Sequence, residues 1–317
     1  MAYVTQHGFL WGAVPETTGS VYWVSPSDSY TIAGITYYAS NENDGRSPER
    51  ALRTVARAWA LVAATSGDVI VLLPGTHTVT ATVSMATAGV TMMGLPRYKQ
   101  NISRLLTTLT ISASADILNY TASNIEIAYL HFIPVTTMDS ISHGVLATGM
   151  HIHHCSVDLD TAAANTATKG FNLAPNTSLQ AFNYVHDCAF YCDSAQGAGL
   201  DFGTTTACGG ASLVERCTFI QSTGTWAAAL RYGASADAGR GTLIRRCDFI
   251  AATDATMTAG ILGGAGTEET AHVHYCYFSD TVTKAVDTYG ARGCELAENY
   301  QAGVGATDGG ILVVDIT

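Results

Sequence analysis

Apolar and polar positions recur in one fixed pattern along the second half of the chain. Each copy places an apolar residue three positions before a cysteine and a second one two positions after it. The copies occupy residues 152–157, 185–190, 214–219, 244–249 and 273–278. Leu130 takes the place of the cysteine in an earlier copy, and Asn299 does so in a later one. Subtracting the residue numbers gives repeat lengths of 25, 33, 29, 30, 29 and 23 residues.

Each repeat also holds a short apolar segment near its middle. These middle segments lie at residues 144–146, 170–173, 199–202, 229–232, 260–262, 285–287 and 310–313. Turns rich in Gly, Thr, Ser and Ala separate the segments, and helical periodicity is nearly absent. Short apolar runs bounded by turn residues predict strands, two or three in each repeat.

A repeat of this size cannot bury its apolar face alone, so neighbouring repeats are expected to stack around one interior. We therefore predict an all-β fold, a right-handed, single-stranded parallel β-helix. The cysteine then lies at the same inward position in every coil and forms a ladder, since a thiol is small and apolar. Asn299 is expected to extend this ladder through amide hydrogen bonds. The alternative is a β-sandwich whose cysteines are spaced by coincidence.

An α-helix is predicted to cap the N-terminal end of the coils, at about residues 48–64. Ser47 is a good N-cap and Pro48 suits the first helical position. Apolar residues at positions 52, 55, 59 and 62 then form one face of a helix. The strands of the first coils are predicted at 68–73, 78–85, 90–93 and 109–112.

The entry to the coils carries a distinctive set of residues. They are Asn43-Asp44-Gly45-Arg46-Ser47-Pro48, Gly67-Asp68-Val69-Ile70 and Pro74-Gly75-Thr76. This set resembles the start of the pectin-lyase-like parallel β-helix proteins, which include polysaccharide lyases and hydrolases, phage tailspikes and other virion proteins. The resemblance implies a β-helix domain at 37–317, with coils at about 68–317. It does not imply a single function, because one fold serves many.

Residues 1–36 lie outside the repeat and are predicted to form an extended N-terminal arm. The segment is rich in aromatic residues, among them Trp11, Trp23 and Tyr30, which need a surface to bury against. One interpretation is that the arm folds back onto the capping helix. The other is that it docks onto another protein chain.

Composition narrows the class of protein. The 317 residues are 47% hydrophobic and 13% charged, which excludes a disordered protein. A net charge of −11 argues against nucleic acid as a partner. The densest apolar stretches, 58–64 and 69–73, are far shorter than the roughly 18–20 residues of a membrane span.

The first residues show no secretory signal, so we expect synthesis in a cytoplasm. The cysteines are expected to be free thiols rather than disulfides or zinc ligands.

Aligned repeats place outward side chains in columns, because adjacent strands lie about 4.8 Å apart. One column holds His153, His186 and Glu215, two positions before the cysteine. His151 is also outward, and it flanks the inward Ile152 together with His153. Such residues form a metal or acid–base site when they converge. The alternative is a polar ladder that faces solvent.

The middle segments give a second column, made up of Leu146, Asn172, Asp201, Arg231, Leu262 and Asp287. Asp201 and Arg231 fall on consecutive coils and are expected to pair. A carboxylate beside an arginine can serve lyase chemistry, with one group taking a proton and the other steadying an oxyanion. An ordinary surface ion pair is the alternative interpretation.

The active-site motifs of the family are missing from the sequence. The calcium cluster of pectate lyases needs several carboxylates on neighbouring outward positions, and no such run is found. Of the polygalacturonase motifs, only the fragment Ser142-His143-Gly144 is present. Asp158 and Asp160 form a carboxylate pair just past a strand, where acidic turn residues are ordinary. We therefore assign no catalytic, cofactor-binding or metal-binding residue and expect no cofactor.

These observations favour a non-enzymatic structural protein of a virion, a phage head decoration or cement protein attached through residues 1–36. The expected partners are copies of the chain in a homotrimer and a major capsid or other virion protein, without nucleic acid or membrane. The alternative is a β-helix spike that binds polysaccharide or degrades it as a lyase or glycoside hydrolase. Trp226 and Tyr289 would then stack on sugars, although packing within the coils is an equal interpretation of them.

Overall fold

The computed structural model describes a chain wound into stacked coils. The described residues are 17–32, 34–64, 66–95, 107–134, 139–143, 147–159, 169–173, 182–193, 197–202, 212–232, 242–252, 255–263, 271–279, 282–288, 294–297 and 299–301. Within them, successive strands pass in turn to each of three parallel sheets. The predicted all-β parallel β-helix is confirmed.

The three sheets take every third strand along most of the described chain. The first sheet consists of β1 (Val21–Val24), β4 (Val69–Leu72), β7 (Thr91–Gly94), β10 (Glu126–Ala128), β13 (His151–His153), β16 (Tyr184–His186), β19 (Leu213–Glu215), β22 (Thr242–Arg245), β25 (Ala271–His274) and β28 (Cys294–Ala297). The second consists of β5 (Gly75–Val79), β8 (Thr107–Ile111), β11 (His131–Ile133), β14 (Ser156–Asp158), β17 (Ala189–Cys192), β20 (Thr218–Gln221), β23 (Asp248–Ala251), β26 (Tyr277–Phe278) and β29 (Tyr300–Gln301). The third consists of β6 (Val83–Met85), β9 (Leu118–Tyr120), β12 (Ile141–His143), β15 (Lys169–Asn172), β18 (Ala198–Asp201), β21 (Gly224–Tyr232), β24 (Ala255–Gly263) and β27 (Val282–Thr288).

The corner between the first and second sheets has the same backbone in successive coils. One residue takes the left-handed conformation, with φ of 52° at His154, 52° at Asp187 and 51° at Arg216. The ladder cysteine follows it directly. Each corner N–H also donates to the next coil; that of Asp187 donates to the carbonyl of Glu215 at 3.1 Å. Left-handed backbone costs a residue with a side chain about 1–2 kcal/mol, and this hydrogen bond offsets part of that cost.

The predicted thiol ladder is confirmed. It consists of buried, unbridged thiols at Cys155, Cys188, Cys217, Cys247 and Cys276. At the next coil Asn299 takes the ladder position, where its Oδ1 accepts from the backbone nitrogen of Cys276 at 2.9 Å. Its Nδ2 donates to the carbonyl of Val273 at 2.7 Å, so the amide extends the ladder as expected.

A second ladder is aromatic and stands two residues beyond the first. Phe190, Phe219, Phe249 and Phe278 are fully buried. Their ring centroids are 4.8, 4.9 and 4.7 Å apart from coil to coil, and the ring planes are within 6° of parallel. The inward phenylalanines thus stack as closely as the strands that carry them.

The N-terminal end of the coils begins inside the segment predicted as an arm. Strand β1 pairs in parallel with β4, and Trp23 and Val24 are fully buried. The hydroxyl of Tyr22 donates to the carbonyl of Leu61 at 2.9 Å, which ties β1 to the cap. An antiparallel hairpin follows, made of β2 (Ser29–Ile32) and β3 (Ile35–Tyr38). Residues 1–16, with Trp11, lie outside the described residues.

The predicted capping helix is shorter than expected and begins later. Pro48–Arg50 is a 3-10 turn, and helix α1 covers Val55–Trp59 with Thr54, not Ser47, as its N-cap. The reason is tertiary. Leu52 must stay extended to pair with β1, donating to the carbonyl of Trp23 at 2.8 Å. The nitrogen of Trp23 in turn donates to Gly45 at 2.7 Å, so residues 45–52 line the outer edge of β1.

Two other strand predictions differ from the structure. The strand predicted at 78–85 is divided, because residues 80–82 are exposed and form a corner between β5 and β6. In the third sheet Ile141 pairs with Phe171, which puts Ser142 level with Asn172. The alignment of the repeats placed Leu146, rather than Ser142, level with Asn172. The predicted middle segments at 144–146 and 310–313 lie outside the described residues.

Helical structure within the described ranges is too short to cross a membrane.

Candidate functional site

Polar side chains follow one line along the outer face of the third sheet. Asn172, Asp201 and Arg231 are register partners on β15, β18 and β21, as the sequence alignment predicted. Lys169 begins β15 and pairs with Ala198. The parallel strands thus bring an amide, a carboxylate and two cations together on three consecutive coils.

Asp201 is the centre of this group and is fully buried. Its Oδ2 accepts from the Lys169 ammonium at 2.7 Å and from the Arg231 guanidinium at 3.0 Å. The side chains of Lys169 and Arg231 remain 23% exposed. Two cations therefore share one buried carboxylate oxygen.

A second carboxylate, Asp139, lies beside the same group. Its Oδ1 accepts from the backbone nitrogen of Lys169 at 2.9 Å, and its Oδ2 accepts from the Asn172 amide at 2.8 Å. Burial raises the pKa of Asp139 to about 6, and the opposing effects of Asn172 and Lys169 are smaller. Asp139 therefore exchanges its proton near neutral pH. We call Asp139, Lys169, Asn172, Asp201 and Arg231 the third-sheet cluster.

The sequence predicted part of this cluster. The pairing of Asp201 with Arg231 is confirmed, but the pair is buried rather than an ordinary surface ion pair. Lys169 and Asp139 were missed. Asp139 precedes a strand, where acidic residues are common, and the loops on either side of it differ in length from other repeats. No spacing rule could have placed it beside Asn172.

The histidine column predicted on the first sheet is also present. In the strand register, His153 lies level with His186 on the next strand, and His186 lies level with Glu215 on the strand after that. The rings of His153 and His186 are stacked, with centroids 5.0 Å apart and planes 4° from parallel. His151 lies on the same outer face, its Nε2 2.9 Å from Nε2 of His186.

Glu126 brings the histidines of β13 together. Its Oε1 is 2.8 Å from His153 Nε2 and 3.8 Å from His151 Nδ1. Its other oxygen accepts from the Thr91 hydroxyl at 2.9 Å. The hydrogen bond from His153 lowers the pKa of Glu126, so the carboxylate is ionised. Burial, followed by the charge of His153, lowers the pKa of His151 to about 4.

The other end of the column carries carboxylates held by arginines. Asp187 binds the guanidinium of Arg216 through both oxygens at 2.8 Å, and this contact lowers its pKa. Glu215 is buried and binds Arg216 at 2.8 Å and Arg245 at 3.0 Å. Because each of these carboxylates already has a cation, this end of the column is a network of ion pairs.

The remaining predicted residues do not join either group. Trp226 is fully buried, so it packs within the coils and cannot stack on a sugar. Asp158 lies in the second sheet, level with Tyr191 on the neighbouring strand. Its proposed partner Asp160 and the aromatic Tyr289 lie outside the described residues.

No protein-family model and no curated protein sequence matches the chain. Solved structures of similar shape include pectin methylesterases. The enzyme from Aspergillus niger, in deglycosylated form, is 14% identical and has a TM-score of 0.51, covering 93% of this chain and 91% of its own. The enzyme PemA from Erwinia chrysanthemi is 11% identical and has a TM-score of 0.56, covering 95% and 94%. A pectin methylesterase in complex with a hexasaccharide is 10% identical, with the same TM-score of 0.56 and the same coverage of 95% and 94%.

These likenesses concern the fold. The similar structures are parallel β-helix proteins of the pectin-lyase-like superfamily, so the fold implied by the N-terminal resemblance is confirmed. Identities of 10–14% carry no activity from those proteins to this chain.

Proposed function

We propose that this chain acts on an acidic polysaccharide at the third-sheet cluster. The observation that carries the proposal is the arrangement of Lys169 and Arg231 around one oxygen of the buried Asp201. The sequence favoured a virion structural protein and left a polysaccharide-binding or polysaccharide-degrading β-helix as the alternative. The present proposal is that alternative. The proteins of similar fold are named as enzymes of pectin, and one was solved with a hexasaccharide bound.

The charge of the cluster suits a uronate. Asp201 holds the two cations in fixed positions, and the side chains of both cations remain 23% exposed. A planar guanidinium beside an ammonium is a good receptor for a sugar carboxylate, since both supply charged donors. When Asp139 is protonated, the five residues of the cluster carry one surplus positive charge, although the chain as a whole carries −11.

Asp139 supplies the proton that the leaving oxygen of the sugar needs in this proposal. Its pKa of about 6 keeps much of it protonated at mildly acidic pH. A carboxyl group whose pKa lies near the working pH is well suited to act as a general acid. In this proposal the glycosidic C–O bond breaks as Asp139 gives its proton to the leaving oxygen, and water adds to the anomeric carbon and releases a proton to solvent. Lys169 with Arg231 orients the sugar.

The test compares wild-type protein with Asp139→Asn and Arg231→Met on polygalacturonate, alginate and a neutral glucan. Wild type is expected to bind and cleave an acidic polymer. Asp139→Asn should keep binding and lose at least about 100-fold in turnover, while Arg231→Met should weaken binding. Asp158→Asn is the matched control, because it alters an aspartate on another sheet. Failure of the wild type to bind either acidic polymer overturns the proposal.

A second candidate is attachment to a virion, as a decoration protein within a homotrimer. The observation that favours it is the β2–β3 hairpin, where Ile35 is 53% and Tyr38 72% exposed. These side chains lie in and beside the proposed attachment segment, residues 1–36. Deleting all 36 residues would remove Trp23 from the core, so a double variant, Ile35→Ser with Tyr38→Ser, is the better test. It should remain folded and fail to bind particles that wild-type protein decorates.

A further inference from the structure

We propose that Glu126, His151 and His153 on the outer face of the first sheet bind one divalent transition-metal ion, with zinc as the probe. One nitrogen of each histidine and one oxygen of the glutamate lie within 4.8 Å of one another. The three residues belong to two neighbouring strands, where Glu126 is the register partner of His151. This site is separate from the third-sheet cluster.

The distances suit a metal after small side-chain adjustment. Oε1 of Glu126 is 2.8 Å from His153 Nε2 and 3.8 Å from His151 Nδ1. Ligands of a tetrahedral zinc ion at about 2.0–2.1 Å are roughly 3.4 Å from each other. The two distances lie on either side of that value, and the two histidine nitrogens lie within 4.8 Å of each other. Side-chain rotation would have to move the atoms by about 1 Å or less toward that geometry. The backbone that carries the ligands is already fixed in the sheet.

The outer nitrogens of both histidines already face hydrogen-bond acceptors. Nδ1 of His153 is 2.9 Å from Nδ1 of His154, and Nε2 of His151 is 2.9 Å from Nε2 of His186. His186 in turn is bound through Nδ1 to Asp187 at 2.6 Å. A metal bound to Nδ1 of His151 and Nε2 of His153 requires a hydrogen on the other nitrogen of each ring. The ring nitrogens of His186 and His154 are placed to accept the hydrogen bonds from those N–H groups. Such support orients metal-binding histidines and raises their basicity.

The neighbouring trio of His154, His186 and Asp187 is a weaker candidate. Its atoms are also within 4.8 Å of each other. However, both oxygens of Asp187 bind the guanidinium of Arg216 at 2.8 Å. A metal there would have to displace a bound cation. Glu126, by contrast, is held by a hydroxyl and imidazoles. An imidazole can release its proton and bind a metal through the same nitrogen, whereas the guanidinium of Arg216 cannot.

Two imidazoles and one carboxylate select the kind of ion. This set suits zinc and other first-row divalent metals better than calcium or magnesium, which prefer oxygen ligands. The side chains of Glu126 and His151 are 35% and 37% exposed, so water can complete the coordination from the solvent side. The site would therefore be an open one, with a position for an exchangeable ligand.

The experiment uses full-length protein without a histidine tag, titrated with Zn²⁺ by calorimetry and with Co²⁺ by visible absorption. One equivalent of each is expected to bind, and Co²⁺ should give the d–d bands of a four- or five-coordinate ion. His153→Gln and Glu126→Gln should each lower affinity by at least 100-fold. His186→Gln should lower it about tenfold, as loss of a supporting partner does. The control His131→Gln, on the second sheet, should bind as wild type does.

Three results would overturn the proposal. They are the absence of Zn²⁺ and Co²⁺ binding by folded wild type, retention of full affinity in Glu126→Gln, and equal loss in His131→Gln. Circular dichroism of each variant separates unfolding from ligand loss. If a variant fails to fold, the Co²⁺ spectrum of the wild type at one equivalent still decides the outcome, since six-coordinate hydrated Co²⁺ is nearly colourless by comparison.

Discussion

Asn299 accepts a hydrogen bond from the backbone nitrogen of Cys276 at 2.9 Å, one coil away, in the column that thiols fill below it. The amide and the thiols occupy the same inward position in their coils but make different contacts there. Asn299 bonds the backbone of the adjacent coil through both ends of its amide, at 2.9 and 2.7 Å. The sulfurs make longer contacts, such as 3.7 Å from Cys217 to the carbonyl of Val185. The thiol ladder is therefore held mainly by packing.

Cys217→Ala tests the packing of the ladder. Cys217 is fully buried between Cys188 and Cys247, so losing its sulfur leaves a small cavity. We expect the free energy of unfolding to fall by about 1 kcal/mol, as for removal of one buried methyl-sized group. Urea unfolding measures the change. Thr218→Ala, at the next and outward position, should change stability by less than half as much.

Arg246 tests the left-handed corner. Its φ is 53°, its side chain is exposed and its N–H donates to His274 at 3.0 Å. Arg246→Val should destabilise the protein by about 1–2 kcal/mol, because a β-branched side chain is least tolerated there. Arg246→Gly should leave stability unchanged or raise it slightly. Equal effects of the two substitutions would contradict a backbone origin, and Thr256→Val at an exposed strand position controls for the side chain itself.

Asp201 is expected to be the most sensitive charged residue of the third sheet. Asp201→Asn leaves the ammonium of Lys169 and the guanidinium of Arg231 together without their carboxylate. Breaking a buried pair from one side costs about 3–5 kcal/mol. Arg231→Met should cost less, since Lys169 still neutralises Asp201 at 2.7 Å. Thermal and urea unfolding of both variants would measure the order; the opposite order would show that Arg231 matters by its packing.

Asp139 should make stability depend on pH between about 4 and 6. Its folded pKa is raised to about 6 from an ordinary value of 3.8, so the folded protein holds a proton that the unfolded chain releases. This group's contribution to stability is therefore greatest at low pH and is lost as the pH rises through 6. Relative to wild type, Asp139→Asn should become more stable by on the order of 1–2 kcal/mol between pH 4 and pH 7.

Urea unfolding at both pH values measures this difference, and other titrating groups cancel between wild type and variant. Glu42→Gln, an exposed carboxyl far from the cluster, is the control. A stability difference that stays constant from pH 4 to pH 7 would show that burial does not shift the pKa of Asp139.

The regular part of the fold could be predicted from the sequence because it obeys a strict local rule. The residue before Cys155, Cys188 or Cys217 must turn the corner, so the cysteine recurs at a fixed distance from both strands. The helix start could not be predicted in the same way. Ser47 and Pro48 are good local signals for a helix, but pairing of Leu52 with the backbone of Trp23 outweighs them.

The candidate sites were predictable only where their residues share the repeat. His153, His186 and Glu215 occupy one repeat position, so their column followed from alignment alone. Glu126 and Asp139 lie one coil earlier than their partners. Their roles depend on how side chains lean between coils and on loops of unequal length, which spacing does not encode.

The contacts at the outer edge of β1 also determine how far the tube can extend. One side of β1 pairs with β4, and its other side bonds to Gly45 and Leu52 at 2.7 and 2.8 Å. A bare strand at the rim of a sheet recruits strands from other molecules. Here the chain covers the rim of the first sheet with its own backbone, so another copy cannot add a strand to that sheet at this end.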